Sequence, residues 1–152
     1  MPEIFVKRTR LPVAAERLFQ WYAEPGALEQ LIPPWQKARV VRRTGTVREI
    51  GSRIEIRVRI GPLWQTWISE HTACEEGRMF RDSQIKGPFH LWRHTHIFQP
   101  DGRAGCYLED RVEYALPMGV VGRLVAGRFV RRKLERLFSY RHEFTAKVFG
   151  GT

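Results

Sequence analysis

The sequence is poor in the features that mark disulfide-rich, metal-cluster and membrane-spanning proteins. Its 152 residues include only two cysteines, Cys74 and Cys106, which stand apart and form no metal-ligand spacing. Polar residues interrupt every apolar run before it reaches the ~18 residues that a membrane helix needs. Residues 1–8 lack the charged leader and apolar stretch of a secretion signal. We therefore expect a soluble, cytoplasmic protein.

Phosphate-binding loops and nucleophile motifs are also missing. Gly45 and Gly51 stand alone, and the segment 119–122 is followed by arginine instead of the Lys-Ser/Thr of a P-loop. Neither cysteine lies in a Cys-His motif, and neither Ser69 nor Ser83 has the context of a nucleophile elbow. We expect no cofactor and no covalent catalysis.

Acidic residues are scarce, above all towards the C-terminus. The chain has 26 Lys and Arg against 16 Asp and Glu, a formal charge of +10, and residues 119–152 carry +6 of it. A basic helix attracts nucleic acid, anionic lipid headgroups or an acidic partner. No recognised nucleic-acid motif accompanies these residues, so nucleic acid is not the expected partner. Peripheral contact with an anionic membrane is the partner hypothesis, beside a plain solvated helix face.

Hydrophobic periodicity predicts one α+β domain that covers residues 1–152. A strand over residues 3–8 is followed by two short helices, over 13–22 and 27–32, each of which ends at a proline-containing pair. Six further strands follow, with turns about every ten residues. They cover residues 37–43, 53–60, 63–74, 78–85, 89–99 and 103–115.

A long helix is predicted over residues 120–149. Its apolar stripe consists of Val130, Leu134, Leu137, Phe144 and Val148, with Tyr140 or Arg141 at the intermediate turn. A curved sheet of about seven strands cannot bury its concave face alone, so this helix must lie across it. The predicted fold is a helix-grip, in which a curved antiparallel sheet wraps round a long C-terminal helix and two short helices follow the first strand. Such a fold leaves space for a ligand between sheet and helix.

This order of elements resembles the START-like superfamily, also called SRPBCC, over essentially the whole chain. Four segments are similar to one bacterial branch of it: Leu31-Ile32-Pro33-Pro34-Trp35, residues 87–98 (GPFHLWRHTHIF), residues 110–117 (DRVEYALP) and residues 138–142 (FSYRH). The superfamily includes lipid-transfer domains and polyketide cyclases. The resemblance implies a cavity for a hydrophobic ligand, without naming the ligand.

Alternation along two neighbouring strands brings histidines near a carboxylate. In the segment 89–98 the even-numbered residues share one face, and in the next strand Asp110 shares a face with apolar residues. The apolar face must point towards the helix, so His94 or His96 comes within cross-strand reach of Asp110. Asp82, on the preceding strand, is a further candidate for the same group.

Three interpretations of this group are open. As an acid–base pair, Asp110 would orient His94 or His96 and raise its pKa, so that the ring accepts a proton near neutral pH. As a metal site, the two histidines would be ligands and Asp110 or Asp82 the third. As a structural group, the buried residues would satisfy one another's hydrogen bonds. A His-x-His pair is common by chance, so no metal is expected.

Further side chains are the candidate lining of a ligand site, although aromatic residues at such positions are more often plain core. Besides Asp82, the candidates are His90, Trp92, Phe98, Leu108, Val112, Tyr114, Trp64, Trp67 and Leu124. The first functional hypothesis is binding or transport of a small hydrophobic molecule, such as a lipid, an isoprenoid or quinone, or a polyketide-like compound. The second is a cofactor-independent cyclase or dehydratase that uses the His–Asp pair. The third is a basic interaction protein without a ligand.

Overall fold

The chain forms a seven-stranded antiparallel sheet against which a long C-terminal helix packs. A computed structural model describes residues 2–150. The elements are β1 (Glu3–Leu11), α1 (Ala15–Ala23), α2 (Ala27–Gln30), β2 (Ala38–Arg43), β3 (Arg53–Ile60), β4 (Leu63–Glu75), β5 (Met79–Lys86), β6 (Leu91–Pro100), β7 (Cys106–Ala115) and α3 (Gly119–Val148). The sheet order is β1-β7-β6-β5-β4-β3-β2. The predicted helix-grip fold is confirmed.

Turn chemistry determines where the strands reverse. Gly61, between β3 and β4, has a φ of 60°, and Gly102, between β6 and β7, has a φ of 82°. Glycine adopts this left-handed backbone without a steric penalty. Turn residues of this kind can be identified in the sequence. The predicted bounds of the elements therefore differ from the observed bounds by no more than three residues.

The interior consists of two apolar clusters, one around α1 and one under α3. The first includes Leu11, Leu18, Phe19, Phe80, Phe98 and Leu108, and the second includes Phe5, Trp92, Val112, Tyr114, Leu134 and Phe138. His96 stacks on Phe80 of the first cluster, and the ring of His94 lies 5.2 Å from that of Phe138 in the second. The polar residues of the interior therefore lie where the two clusters meet.

The buried face of α3 differs from the predicted apolar stripe. The buried residues of the helix are Leu134, Phe138, His142 and Thr145. Of the predicted stripe only Leu134 is among them: Val130, Leu137 and Phe144 are partly buried, and Val148 is exposed. At the intermediate turn of the helix the buried residue is His142, not Tyr140 or Arg141. His142 can be buried there because it forms hydrogen bonds inside the protein.

The packing of α3 depends on Phe138, which is fully buried and lies 5.5 Å from the ring of Phe5. We expect Phe138→Ala to lower the free energy of unfolding by about 3–5 kcal/mol, because the cavity it leaves cannot close completely. Phe129→Ala, on the same helix but 61% exposed, is the matched control and should cost less than about 0.5 kcal/mol. Urea denaturation measures both, and equal losses would contradict this account of the packing.

Candidate functional site

Asp110 is the centre of a buried polar cluster. It lies on β7 with Leu108 and Val112 on the same face, and it is only 2% exposed. In the sheet it pairs with His96 of β6, and His94 lies two residues earlier on that strand. Alternation therefore brings both histidines to the face of Asp110, as the sequence predicts.

Three histidine rings surround the carboxylate of Asp110. His94 Nε2 donates to Oδ1 at 2.7 Å, and His142 Nε2 donates to Oδ2 at 2.7 Å. His96 Nδ1 lies 3.2 Å from Oδ1, but its N–H is not directed at that oxygen, so this contact is ionic. A carboxylate can only accept hydrogen bonds, so the bonded nitrogens of His94 and His142 carry protons. Because His142 belongs to α3, Asp110 joins the helix to the sheet.

His96 lies between two carboxylates and against an aromatic ring. Its Nε2 is 3.5 Å from Oδ2 of Asp82, which belongs to β5. Phe80, on the same strand, stacks on the imidazole with a centroid distance of 4.1 Å. Asp82 pairs with His94 on one side and with His71 on the other. Four adjacent strands, β4 to β7, thus place ionisable groups at one position of the sheet.

A second set of hydrogen bonds attaches α1 and β1 to the same part of α3. The hydroxyl of Thr145 donates to the carbonyl of Arg141 at 2.8 Å, so the Tyr22 hydroxyl donates to Thr145 at 2.9 Å. On the other side, His142 Nδ1 bonds the hydroxyl of Thr9 at 2.7 Å. These bonds fix the rotation of α3, and with it the position of His142 over Asp110.

Burial and charge act in opposite directions on the pKa values of the cluster. Burial raises the pKa of Asp110, but the three histidines outweigh burial and hold that pKa well below its usual range. Burial lowers the pKa of His94, and the charge of His96 lowers it further. Burial also acts to lower the pKa of His96, but the carboxylates of Asp110 and Asp82 outweigh it and raise this pKa. His96 therefore binds a proton more readily than His94 does.

The same residues have the spacing of a metal site. One ligand atom from each of Asp82, His94 and His96 lies within 4.8 Å of the other two. Within this group Asp82, not Asp110, would be the third ligand, because Asp110 is already bonded to His94 and His142. Both imidazoles also contact a carboxylate.

Two small spaces lie beside the sheet. A cleft of about 60 Å³ is lined by residues that include Tyr22, Val47 and His71, and His71 pairs with Asp82 in the sheet. A depression of about 240 Å³ on the opposite face is lined by Arg39, Arg57 and Trp64. Neither space is lined by a residue of α3. Small-molecule pockets usually measure about 300–1,000 Å³, so both spaces are smaller than a typical ligand pocket.

The structure brings several of the predicted ligand residues together. Trp67 and Trp92 pack edge to face at 5.1 Å, and Phe89 joins them and contacts Tyr114 at 5.9 Å. Trp67 and Phe89 are only partly buried. The remaining predicted residues inside the sheet are fully buried core side chains: Phe98, Leu108 and Val112.

Three of the predicted ligand residues lie elsewhere. His90 is exposed and precedes the first residue of β6, so it does not share the face of His94. Trp64 is 48% exposed and lies on the face opposite to Trp67, because successive side chains of a strand alternate. Leu124 is 78% exposed on the N-terminal half of α3.

His142 is the member of the cluster that sequence analysis missed. It follows Phe138 by four residues and Leu134 by eight, so it falls on the buried face of α3. This spacing is visible in the sequence. A stripe defined by apolar residues alone does not include a histidine, and nothing in the sequence pairs it with Asp110.

Removing the carboxylate at the centre should destabilise the fold in a pH-dependent way. We expect Asp110→Asn to lower the free energy of unfolding at pH 7 by about 3–5 kcal/mol, because it breaks a buried charge cluster. The pKa of Asp110 is lower in the folded protein than in the unfolded chain. Its contribution is therefore complete above the unfolded pKa of about 3.9 and is lost as the pH falls through the folded pKa.

Urea denaturation at pH 7, 5 and 3 measures this effect. The difference in the free energy of unfolding between wild type and Asp110→Asn should be smaller at pH 3 than at pH 7. A difference that does not change with pH would contradict a lowered pKa of Asp110 in the folded protein. Glu113→Gln is the matched control, since Glu113 lies on β7 but pairs with Arg93 at 3.0 Å on the other face of the sheet. Its effect should stay below about 1 kcal/mol at every pH.

Comparison with known proteins places this arrangement in a family. Residues 11–138 match the family model described as "Polyketide cyclase / dehydrase and lipid transport". No curated protein sequence matches the chain significantly.

Solved structures extend the likeness to the whole fold. Norcoclaurine synthase from Thalictrum flavum, in complex with dopamine and hydroxybenzaldehyde, is 13% identical, with 97% of this chain and 86% of that chain covered and a TM-score of 0.71. A START superfamily protein from Mycobacterium smegmatis is 13% identical, with 97% of both chains covered and a TM-score of 0.71. A protein from Chromobacterium violaceum is 13% identical over 100% of both chains, with a TM-score of 0.73. Such identities show a common fold. The match of the family model, which covers most of the chain, shows that the chain belongs to the polyketide cyclase/dehydrase and lipid transport family.

Proposed function

We propose that the protein binds a small, largely apolar molecule beneath α3 and moves a proton on it, as a cofactor-independent cyclase or dehydratase. The observation that carries this proposal is His96, which is 8% exposed and lies between the carboxylates of Asp82 and Asp110. Burying ionisable groups costs free energy, and a carrier of apolar ligands needs none of them. The description of the family includes both enzymes and lipid transport.

Of the two histidines suggested by the sequence, the contacts favour His96 as the proton acceptor. The Nε2 atom of His94 is bonded to Asp110 at 2.7 Å, whereas His96 directs its Nε2 towards Asp82 at 3.5 Å. The side chain of Asp82 is 17% exposed, against 3% for that of Asp110. The Asp82 side of the ring is thus the side nearer to solvent, and it is where a substrate would approach. Asp110 then serves to orient the ring.

The proposed step is a proton transfer from a carbon acid. The C–H bond next to a carbonyl breaks, its proton passes to the neutral ring of His96, and the electron pair remains on the substrate as an enolate. In a cyclase the enolate attacks a second carbonyl, and the imidazolium returns the proton to the new alkoxide. In a dehydratase the proton goes to the departing hydroxyl, which leaves as water. Asp82 and Asp110 stabilise the imidazolium between the two transfers.

A structural neighbour supports aromatic compounds as candidate substrates. Norcoclaurine synthase has this fold and was captured with dopamine and hydroxybenzaldehyde. In the present chain the partly buried rings of Trp67 and Phe89 would offer apolar faces to such a molecule.

Deuterium exchange tests the proton transfer without knowledge of the natural substrate. With 2-tetralone, an aromatic ketone, in D₂O, the wild type should accelerate exchange at the carbons next to the carbonyl, as followed by proton NMR. His96→Gln should reduce the enzymatic rate by about 100-fold or more, since a positioned general base contributes about 10²–10⁴. His90→Gln, which removes an exposed histidine outside the cluster, should exchange at the wild-type rate.

Two results would oppose the proposal. If 2-tetralone binds but exchanges at the rate of buffer, the protein does not act as a base on this class of compound. If His96→Gln and His90→Gln exchange equally fast, the base is another group. Thermal unfolding of each variant shows whether a lost rate reflects a lost fold.

Binding without turnover is the second candidate function, and the aromatic cluster favours it. Native mass spectrometry of the purified protein, followed by denaturing extraction, should then reveal a bound lipid, quinone or polyketide-like molecule. Trp67→Ala should reduce the bound fraction, because Trp67 packs against Trp92 on the inner face. Trp64→Ala is the matched control, since Trp64 lies on the outer face. An empty wild type that no apolar compound stabilises in thermal-shift assays would exclude the binding function.

We propose the cytoplasm as the location of the protein. Both cysteines are free thiols, Cys106 buried and Cys74 partly buried. Thiols persist in reducing compartments, whereas secreted domains of this size commonly form disulfides.

A further inference from the structure

We propose that residues 118–133 dock the protein on anionic lipid surfaces. This docking segment consists of the N-cap residue Met118 and the N-terminal half of α3. This inference does not depend on proton transfer at His96, because it rests on a different part of the molecule. Within residues 2–150 no helix is long and apolar enough to cross a bilayer. In the proposed contact the helix lies in the plane of the headgroups.

The first half of α3 exposes large apolar side chains. Six of them in the first 12 residues of the docking segment are between 56% and 82% exposed: Met118, Val120, Val121, Leu124, Val125 and Phe129. In the second half of the same helix, Leu134 and Phe138 are buried against the sheet. A concentration of exposed apolar residues on one short segment marks an interaction surface, whereas single exposed residues do not.

These side chains point to two sides of the helix. Val120 precedes Phe138, and Leu124 precedes His142, by 18 residues, which is about five full turns. Val120 and Leu124 therefore continue the sheet-facing side, although the sheet does not cover them. Val121, Val125 and Phe129 follow one another at intervals of four and form a second row on a different side.

The same segment carries positive charge without acidic neighbours. Between Glu113 and Glu135 the sequence has no Asp or Glu, and its basic residues are Arg123, Arg128, Arg131, Arg132 and Lys133. All five are exposed. Arg123 and Arg131 have long ion-pair contacts, at 3.8 and 4.0 Å. Within the described part of the chain, Arg128, Arg132 and Lys133 form no ion pair, so their charges are available to an anionic partner.

An anionic lipid surface satisfies both features at once. A helix at the boundary between headgroups and acyl chains is surrounded by lipid. Apolar residues on two of its sides can therefore be buried together, while its arginines extend to the lipid phosphates. A protein groove would cover one side of the helix only. Nucleic acid would pair with the arginines but leave the valines and Leu124 in water. The distribution of apolar residues therefore selects the lipid surface.

Vesicle flotation tests the proposal with the full chain. Vesicles of phosphatidylcholine with about 30 mol% phosphatidylglycerol, which imitate an anionic leaflet, should bind the protein, and pure phosphatidylcholine vesicles should not. Arg128→Gln combined with Arg132→Gln should lower the partition coefficient roughly 25-fold, since each basic residue near such a surface is worth about a fivefold change. Val125→Ser combined with Phe129→Ser should lower it about tenfold or more, because apolar burial is lost.

Each double variant of α3 has a control that makes the same kind of substitution at exposed residues elsewhere in the chain. Arg39→Gln with Arg42→Gln removes two exposed arginines of β2, and Ile4→Ser with Val6→Ser removes two exposed apolar residues of β1. Both control variants should bind as the wild type does. All substituted residues are exposed, so an unchanged midpoint of thermal unfolding confirms that each variant is folded.

Other outcomes would overturn the proposal. Equal binding of the wild type to neutral and anionic vesicles would exclude anionic lipid as the partner. Wild-type binding by the α3 variants would exclude this segment as the docking element. Displacement from vesicles by a 20-base-pair DNA duplex at equal charge concentration would identify nucleic acid as the preferred partner. A dimer of the wild type that Val125→Ser with Phe129→Ser dissociates, detected by sedimentation, would assign the apolar rows to a second copy of the chain.

Discussion

The interior of the protein depends on one buried carboxylate. Asp110 accepts hydrogen bonds from His94 on the neighbouring strand and from His142 on α3, so one side chain holds the helix to the sheet. Removing either ring would leave part of a buried charge without a donor, which is costly in a medium of low polarity. The position of α3 is therefore specified by charge as well as by the apolar contact of Phe138 with Phe5.

The same carboxylate determines which histidine is available for chemistry. His94 and His142 each direct a nitrogen at Asp110, whereas His96 contacts it without a directed hydrogen bond and faces Asp82 on its other side. Two rings are thus fixed as donors, and the third lies between two carboxylates that stabilise a proton on it. A constellation that only had to fill the core could use apolar residues at these positions at lower cost.

Most of the fold and most of the cluster could be predicted from the sequence, for a physical reason. The pairing of β5 with β6 and of β6 with β7 has no register shift, so simple alternation brought His94, His96 and Asp110 to one face. On β4 the pairing shifts at two places, including between His71 and Ala73, and alternation fails to follow such bulges. His142 could not be predicted from an apolar stripe, since its burial depends on a partner more than 30 residues away. Leu124 lies outside the predicted ligand site, because the sheet does not cover the N-terminal half of α3.

The order of the strands also has a consequence for how the chain folds during synthesis. The strands β2 to β7 pair with their sequence neighbours, so these hairpins can form as soon as each one leaves the ribosome. Among residues 2–150, β1 pairs in the sheet with β7 alone, and the residue opposite Phe5 is Val112. The apolar residues of β1 must therefore wait, unpaired, until nearly the whole chain has been made. His142 follows later still, and its arrival at Asp110 completes the protein only after the last helix has been synthesised.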